Sequence, residues 1–294
     1  MPNFYMLVGL SGSFKSSYQF DEEIVKISSD SLRKELFGDE NDQTHNAEIF
    51  NELHKRVILN LKNGKNVVYD ATNLSARRRI AFLNSIRHIN CKKECIVLAT
   101  PFEECVKRDA ERARTVGREV ILKQMKQFQM PQYDEGWDII FVKQYCERIK
   151  LYTLYNYAYH IEHDNPHHLE SIGKHLYMTE TYLKNNGISL TSPLIQAAKF
   201  HDIGKLYTKN FCNSKGEKTK EAHYYSHEKV SSYLYLTSEY FSRTRFCFKT
   251  IWLIENHMRP YYSGYEKWKS TQNPEWVKDL EILHLADQEA RITE

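Results

Sequence analysis

Residues 4–17 read FYMLVGLSGSFKSS: a short apolar run, a loop of small residues, and a Lys-Ser pair. The apolar run is long enough for one buried strand, and it breaks at Gly9. A loop that binds phosphate needs backbone N–H groups directed at one point, a Lys for the outer phosphates and a hydroxyl for Mg²⁺. Lys15 and Ser16 stand where those last two roles require them. The stretch therefore predicts a phosphate-binding loop between a strand and a helix.

The usual pattern for such a loop is G-x-x-x-x-G-K-[S/T], and Phe14 stands where its second Gly belongs. An ordinary strand-turn-helix is the alternative interpretation of the same letters, but the strand in front of the loop favours phosphate binding. A helix is expected behind the loop, over about residues 17–23. The candidate nucleotide contacts are Gly9, Gly12, Ser13, Lys15, Ser16 and Ser17.

Composition narrows the class of protein. The 294 residues predict two domains of ordinary size, and a formal net charge of +3 excludes a global polyelectrolyte. No window approaches the roughly 18 apolar residues of a membrane span. The six Cys include no Cys-x-x-Cys pair. We therefore expect a cytoplasmic protein with reduced thiols, no membrane partner, and any nucleic-acid contact confined to a local surface.

Strand-like and helix-like segments alternate in units of about 30 residues as far as Val142. Such alternation predicts an α/β domain in which helices cover both faces of a parallel sheet. From about residue 146 the strand signals stop and helical periodicity continues. We therefore predict an α/β domain over residues 1–145 and an all-α domain over residues 146–294.

Asp30 lies where the second predicted strand ends and a helix begins. As part of Ser-Asp before Leu32, it fits the cap of that helix. At the carboxyl end of a strand beside the phosphate loop, it also fits a base that accepts a proton from an attacking hydroxyl. The arginines further along the chain likewise fit either a solvated helix face or a lid over nucleotide phosphates: Arg108, Arg112, Arg114 and Arg118.

Four motifs together resemble the kinase module of 5′-hydroxyl polynucleotide kinases over residues 4–142. They are the phosphate loop, Asp30-x-x-Arg33, Asp70-Ala71-Thr72-Asn73, and Arg108-x-x-x-Arg112 followed by Gly117-Arg118-Glu119-Val120. The resemblance implies a P-loop kinase fold in which Lys15 and Ser16 hold Mg²⁺ and the phosphates of ATP or another NTP. It also implies that Asp30 is the general base, that Arg33 contacts the acceptor phosphate, and that Arg112 is the lid arginine on the donor. Ala71 is a departure, because the phage kinases have Asp-Thr-Asn there; Asp70 is the nearest acid.

Ten of the thirteen histidines lie at or after His160. A lone His on a helix is most often a structural core residue, but His201-Asp202 ends an apolar helix, and two such ligands are costly to bury without a cation. The spacing is 26 residues from His175 to His201, 25 from Asp202 to His227, and 30 more each to His257 and Asp287. One ligand therefore falls on each of several successive helices.

Three further motifs resemble the HD phosphohydrolase superfamily, and more closely the HD domains associated with tRNA end metabolism. They are Asn165-Pro166-His167-His168, His201-Asp202-Ile203-Gly204-Lys205, and YYSHEKV at residues 224–230. The resemblance implies a first metal site of His175, His201, Asp202 and Asp287, with His227 and His257 completing a second site or gripping the scissile phosphate. One or two ions of Mn, Ni, Co, Fe or Zn fit these ligands. Lys205 and Arg259 are candidate phosphate contacts or, alternatively, surface charges.

The two halves together predict an RNA end-healing enzyme. A P-loop kinase module would phosphorylate 5′-OH ends, and an HD module, with Asp202 as a catalytic residue, would hydrolyse 2′,3′-cyclic, 2′ or 3′ phosphates. The expected partners are RNA ends, with DNA ends as the alternative, an NTP, and a separate ligase. Two other hypotheses stay open. One is a nucleoside or nucleotide kinase fused to a nucleotide phosphohydrolase; the other is an HD phosphatase whose P-loop domain binds nucleotide or RNA without catalysis.

Overall fold

The structure of the chain, a computed structural model, describes residues 1–20, 23–242 and 244–292. The chain forms two compact units. The first consists of Met1–Gln124 and Pro131–Glu147, and the second of Met125–Met130 and the residues from Arg148 onward.

The first unit is built on a five-stranded parallel sheet, which confirms the predicted fold class of this half. Its strands are Asn3–Val8 (β1), Val25–Ser28 (β2), Val67–Asp70 (β3), Lys92–Leu98 (β4) and Ile139–Lys143 (β5), in the order β2-β3-β1-β4-β5. Its helices are Ser29–Phe37 (α1), Asn46–Lys62 (α2), Ala76–Ser85 (α3), Phe102–Ala110 (α4) and Arg118–Met125 (α5). The central strand β1 is apolar and mostly buried, as expected for a strand of a parallel sheet whose two faces are both covered.

The strand order brings the candidate residues of the first unit to one edge of the sheet. Leu7 of β1 is in register with Asp70 of β3, and Asp70 with Ser28 of β2. The carboxyl ends of these three parallel strands therefore meet, and the loop after β1 lies where open α/β sheets bind their ligands.

The helix predicted over residues 17–23 is wrong for the described part of that range. Lys15–Ser17 forms one short 3-10 turn, and residues 18–20 continue without helix; residues 21 and 22 lie outside the described residues. Packing accounts for the difference. The ring of Phe20 lies 5.0 Å from Tyr5 of β1 and 4.8 Å from Tyr18, so an irregular segment covers sheet surface that the prediction gave to a helix.

The second unit is mainly helical. Its helices are Leu151–Ala158 (α6), Ile172–Asn185 (α7), Pro193–Phe200 (α8), Lys205–Thr208 (α9), His227–Leu236 (α10), Arg245–Asn256 (α11), Tyr265–Lys269 (α12) and Pro274–Glu289 (α13). It is not all-α as predicted, because Asn210–Cys212 (β6) and Lys218–His223 (β7) pair as an antiparallel hairpin. The turn of this hairpin contains Gly216 at φ 82° and Asn213, whose side chain accepts two backbone N–H bonds. Among the described residues, no helix combines the length and apolarity that crossing a membrane would require.

A buried ion pair stabilises the loop after β3. Arg79 and Glu135 form two hydrogen bonds of 2.8 and 2.6 Å, and both side chains are almost fully excluded from solvent. Arg79 also donates to the carbonyl of Asn73, and Trp137 donates to Glu135. Each charge is thus paired and hydrogen-bonded, which is the condition for burying charge at low cost.

Replacing one partner of this pair would leave the other charge buried alone. We expect Arg79→Met to lower the free energy of unfolding of the first unit by about 3–5 kcal/mol. The control is Arg56→Met, which removes an exposed ion pair with Glu35 and should have a far smaller effect. Urea unfolding followed by tryptophan fluorescence measures both losses, and equal losses would contradict this account.

Candidate phosphate-binding loop and metal centre

Two glycines of the loop after β1 stand where no side chain fits. A Cβ at Gly9 would lie 2.4 Å from the Ser13 hydroxyl oxygen, and one at Gly12 would lie 2.3 Å from the carbonyl oxygen of Cys105. Gly12 also has φ 82°, a conformation that L side chains rarely adopt. The N–H of Gly9 donates to the carbonyl of Thr72. Gly12 is therefore packed tightly against the backbone of α4, whereas Gly9 is limited mainly by the Ser13 side chain and, at 3.1 Å, by the carbonyl oxygen of Leu98.

The Lys15 ammonium lies within the loop. Its Nζ donates to the carbonyls of Gly9 at 2.9 Å and Leu10 at 2.5 Å, with the Ser13 hydroxyl at 3.3 Å. Burial lowers the pKa of Lys15 to about 8, although the nearby Asp70 carboxylate opposes the shift. Ser16 and Ser17 are exposed at the end of the loop. In this conformation Lys15, the side chain predicted to bind phosphate, instead donates to carbonyl groups of the loop itself.

Phe14 adopts the backbone conformation for which the motif normally uses Gly. Its φ is 69°, in the left-handed region, which costs a side chain about 1–2 kcal/mol. Its ring faces the Arg108 guanidinium, whose central carbon lies 3.4 Å from the ring centroid, and Arg108 donates to the carbonyl of Gly12. Tyr145 packs against the ring at 5.5 Å. Cation–π and aromatic contacts thus offset the strain and tie the loop to α4.

Asp30 lies in the first turn of α1, so the interpretation of this residue as the helix cap is wrong; Ser28 occupies the cap position. Its carboxylate is 56% exposed and accepts from the Arg33 guanidinium at 2.9 Å. Arg33 is buried and also donates to the Asn46 side chain at 2.7 Å. Arg114 approaches Asp30 to 3.5 Å. The structure thus brings together Asp30 and Arg33, with Asn46 and Arg114 beside them.

The other predicted groups of the first unit take separate places. Asp70 binds Lys26 at 3.0 Å, and its charge also acts on Lys15. Arg112 is exposed, and its charge acts on Lys15 as well. Arg118 instead pairs with Glu103 at 2.6 Å. Asp70 and Arg112 therefore remain near the loop, whereas Arg118 is engaged elsewhere.

Gly12→Ala tests whether this loop binds nucleotide. The added methyl group would clash with the carbonyl of Cys105, so we expect NTP affinity to fall at least about tenfold, the equivalent of 1.4 kcal/mol. Gly38→Ala is the matched control, because Gly38 has φ 76° but no described atom lies within 4 Å of the position that a Cβ would take there. Titration with a fluorescent ATP analogue measures the effect; equal affinities for the two variants would show that the clash is irrelevant.

In the second unit, the six predicted ligands converge from five helices and the residues that directly follow them. His175 lies on α7, His201 and Asp202 directly follow α8, His227 begins α10, His257 directly follows α11, and Asp287 lies on α13. All six are buried. Two acids and four histidines that are buried together form a donor set that suits a divalent transition metal.

Backbone carbonyls fix the tautomers of three of these histidines. The Nδ1 of His201, His227 and His257 each lies 2.7–2.8 Å from the carbonyl oxygen three residues earlier in the chain. A carbonyl only accepts, so Nδ1 carries the proton and, in the neutral ring, Nε2 carries the lone pair. This second hydrogen bond is the arrangement that metal-binding histidines commonly have.

The first group of ligand atoms consists of His175 Nε2, His201 Nε2, Asp202 Oδ2 and Asp287 Oδ1. His175 and His201 approach Asp287 to 2.9 and 3.6 Å, and Asp202 to 3.7 and 3.6 Å. Two ligands that each lie about 2.1 Å from one ion are separated by roughly 3–3.5 Å. His201 Nε2 is buried without a hydrogen-bond partner among the described residues. The residues present therefore fit a metal ion.

The second group uses the other oxygen of Asp202. His227 Nε2 and His257 Nε2 lie 3.0 and 3.4 Å from Asp202 Oδ1, and 3.2 Å from each other. Because both rings hold their protons on Nδ1, two lone pairs face each other, and a shared proton or a bound cation is needed to relieve the repulsion. Asp202 is thus placed to bridge two sites.

Electrostatics keep the two acids ionised despite their burial. Burial alone would raise the pKa of Asp202, but Lys205, His201 and His227 hold it well below its usual range. Burial opposes a low pKa at Asp287 in the same way, and His175 and His201 again hold it well below its usual range. Two anionic carboxylates are therefore available as ligands at neutral pH.

Sequence reasoning missed the residues that hold these ligands from outside. Tyr261 donates to Asp287 Oδ2 at 2.7 Å, and Arg291 contacts the same oxygen at 3.0 Å. Lys205, left open as a phosphate contact, binds Asp202 Oδ2 at 2.6 Å. Glu170 lies 3.3 Å from His175 Nδ1. The single-sequence pattern gave no signal for Tyr261, Arg291 or Glu170, because their spacing to the ligands follows no motif.

If Asp202 bridges two ions, its loss should empty both sites. We expect the wild-type chain to retain up to two equivalents of Mn²⁺ or Ni²⁺, His257→Ala about one, and Asp202→Ala none. His160→Ala, which removes an exposed histidine, is the control and should match wild type. Elemental analysis of the dialysed proteins gives the stoichiometry; two bound ions in Asp202→Ala would rule out the bridge.

The parallel sheet, its strand order and the loop after β1 define the first unit as a P-loop α/β domain. Residues 4–131 match the family model described as an AAA domain. Fold and match together support a P-loop kinase-like domain, and such a loop suggests an NTP with Mg²⁺ as its cofactor. The match does not include most of the second unit. The assignment of that unit to the HD superfamily stays a prediction.

Three of the solved structures that are similar to this chain each overlap with less than half of it. A structure of the Pnkp1/Rnl/Hen1 RNA repair complex is 28% identical over 44% of this chain and 44% of that chain, with a TM-score of 0.36. A structure of the Pnkp1/Rnl/Hen1 complex is 26% identical over 47% and 43%, with a TM-score of 0.33. A gluconokinase from Sinorhizobium meliloti 1021 is 15% identical over 49% and 82%, with a TM-score of 0.34. The chain thus spans less than half the length of the first two, and no curated protein matches it.

Proposed function

We propose that this chain is a two-site RNA end-healing enzyme, which phosphorylates 5′-OH ends and hydrolyses phosphates at the other end of a broken strand. One observation carries the proposal. A chain with a P-loop domain also brings six buried His and Asp ligands to one point, in two groups that share Asp202. The P-loop domain suits phosphoryl transfer, and the cluster of His and Asp ligands suits hydrolysis of a phosphoester.

In the kinase half, Asp30 is the proposed general base. Its half-exposed carboxylate can reach a substrate hydroxyl, and Arg33 keeps it oriented at 2.9 Å. Arg33 and Arg114 would contact the phosphate of the acceptor strand, because planar guanidinium groups suit phosphate oxygens. Lys15 would neutralise the donor phosphates with Arg112, and the Ser16 hydroxyl would hold Mg²⁺.

In the hydrolase half, the proposed metal ligands are His175, His201, Asp202, His227, His257 and Asp287. When bound, divalent ions here would lower the pKa of a water molecule to about 7. The chain's own residues orient the ions and exclude bulk water, since all six ligands are buried. The Lys205 ammonium contacts a ligand carboxylate, and it would neutralise charge on the bound phosphate.

A single broken RNA strand connects the two activities. Cleavage that leaves a 2′,3′-cyclic phosphate and a 5′-OH gives ends that a ligase cannot join directly. One active site corrects each end, and a separate ligase would then act on the product. DNA ends are the alternative substrate.

The conformation of the phosphate loop favours one other function. Lys15 binds the loop's own carbonyls, and Phe14 occupies the second Gly position of the motif. Both features suit a domain that binds nucleotide or RNA without phosphoryl transfer and delivers the strand to a phosphoesterase. In that case the second unit would be the only active site.

The test uses a short RNA with a 5′-OH and a 2′,3′-cyclic phosphate, incubated with ATP, Mg²⁺ and Mn²⁺ or Ni²⁺. Wild type should convert both ends. Lys15→Ala should lose at least about 100-fold in 5′ phosphorylation while it retains 3′-end hydrolysis, and Asp202→Ala should show the reverse, because each change removes a charge at only one site. Gel mobility and end-labelling with radioactive ATP report the two ends separately.

Three outcomes would change the proposal. Conversion of the 3′ end alone by wild type would favour the non-catalytic P-loop domain. Activity on mononucleotides but not on the RNA would favour a small-molecule enzyme. Conversion of neither end by folded, metal-loaded protein would disprove end healing.

A further inference from the structure

A buried network of four polar side chains lies along one side of the candidate metal centre. None of the four is among the six predicted metal ligands. Its members are Glu170, His168, His163 and Lys205, each at most 8% exposed. The His168 Nδ1 lies 2.7 Å from Glu170 Oε1, and the His163 Nδ1 lies 2.8 Å from the backbone carbonyl of Glu170. Lys205 Nζ lies 3.2 Å from His163 Nε2. The network thus connects the Glu170 carboxylate to the Lys205 ammonium.

His163, His168 and Glu170 have the composition of a third cation site, but their contacts argue against it. The Nδ1 atoms of both histidines already face oxygens of Glu170. The remaining nitrogen of His163 faces the Lys205 ammonium, which would repel a metal ion. These groups are better satisfied as hydrogen-bond partners than as ligands.

The two ends of this network, Glu170 and Lys205, contact predicted ligands of the first metal site. Glu170 Oε1 lies 3.3 Å from His175 Nδ1, and the opposite nitrogen of His175 faces Asp287. Lys205 Nζ binds Asp202 Oδ2 at 2.6 Å. Glu170 is itself held in place, because its Oε2 accepts the backbone N–H of Ile292 at 3.0 Å. The Glu170 side chain therefore contacts the predicted ligand His175, and its backbone carbonyl holds His163, which contacts Lys205.

We propose that Glu170 is a positioning residue for the first metal site, with His168 as its support. In the structure His175 Nε2 hydrogen-bonds Asp287 at 2.9 Å, while Nδ1 has no hydrogen-bond partner among the described residues and lies 3.3 Å from the Glu170 carboxylate. An ion beside Asp287 would need the Nε2 lone pair, and the Glu170 carboxylate would then hold the ring proton on Nδ1. His168 fixes the carboxylate in the orientation that reaches His175. The inference deepens the proposed function, since it rests on a metal-dependent hydrolase site in this unit.

Metal affinity separates this role from a structural one. Co²⁺ is the probe, because its absorption spectrum reports its ligands and its stoichiometry is measured by elemental analysis. In the 294-residue chain carrying His257→Ala, which keeps only the first site, adding Glu170→Gln should weaken Co²⁺ binding about 10–100-fold. His168→Phe in the same background should weaken it by a smaller factor. In the otherwise wild-type chain, Glu170→Gln should affect one equivalent of Co²⁺ and leave the second unchanged.

Glu180→Gln is the matched control. Glu180 is also buried and lies on α7, where it pairs with Lys184 rather than with a predicted ligand. It should leave Co²⁺ affinity and spectrum unchanged. Glu170→Asp, which keeps the charge, should recover part of the affinity that Glu170→Gln loses.

Several outcomes would overturn the inference. They are unchanged Co²⁺ affinity in both Glu170→Gln and His168→Phe, an equal loss at both sites, or a wild-type chain that binds no Co²⁺. If circular dichroism shows that Glu170→Gln does not fold, the His168→Phe result decides. A wild-type chain that binds Co²⁺ as expected but hydrolyses no RNA end would overturn the proposed function and leave this inference standing.

Discussion

Two buried carboxylates, Asp202 and Asp287, impose the arrangement of the second unit. A carboxylate without water needs compensating charge and hydrogen-bond donors, and a single helix cannot supply enough of them. The histidine and lysine partners of these acids therefore come from α7, α9 and α10 and from the residues that directly follow α8 and α11. Gly204 shows how closely the helices must approach, since a Cβ there would lie 2.3 Å from the carbonyl oxygen of His227. The Gly204 N–H instead donates to Ser231 of α10, which brings His227 to Asp202.

The backbone does part of the electrostatic work at this centre. The Nδ1–H of His201, His227 and His257 each donates to the backbone carbonyl three residues earlier in the chain. Each ring thus presents Nε2 to the centre before any ion arrives, so little reorganisation is required on binding. His175 differs, because its Nδ1 faces the side chain of Glu170. Desolvation would lower the pKa of His175, but Asp287 and Glu170 raise it to about 9. Glu170 contacts His175 through its side chain, which can be replaced without disturbing a helix backbone. Mutation can therefore alter the orientation of His175 more directly than that of the other three histidines.

The first unit differs, since the ligand proposed for it is a mobile polyphosphate rather than a resident ion. The sheet order collects the ends of β1, β2 and β3, and the short 3-10 turn after the loop leaves Ser16 and Ser17 exposed. Lys15 and Phe14 show that the loop has tight internal contacts of its own. Binding of phosphate must then compete with these contacts, so the affinity of the loop depends on the cost of breaking them.

The sequence by itself determined the parallel sheet, the end of the strand-rich region, and the regular spacing that places one predicted ligand on each of several helices. These features follow from local periodicity and from side-chain chemistry, which are properties of neighbouring residues. Tertiary structure decided the rest. The 3-10 turn in place of a helix depends on aromatic packing against β1, and the β6–β7 hairpin was hidden in a polar stretch. The roles of Glu170, Tyr261 and Arg291 depend on contacts between distant parts of the chain. No sequence period encodes such contacts, because they exist only once the helices have packed.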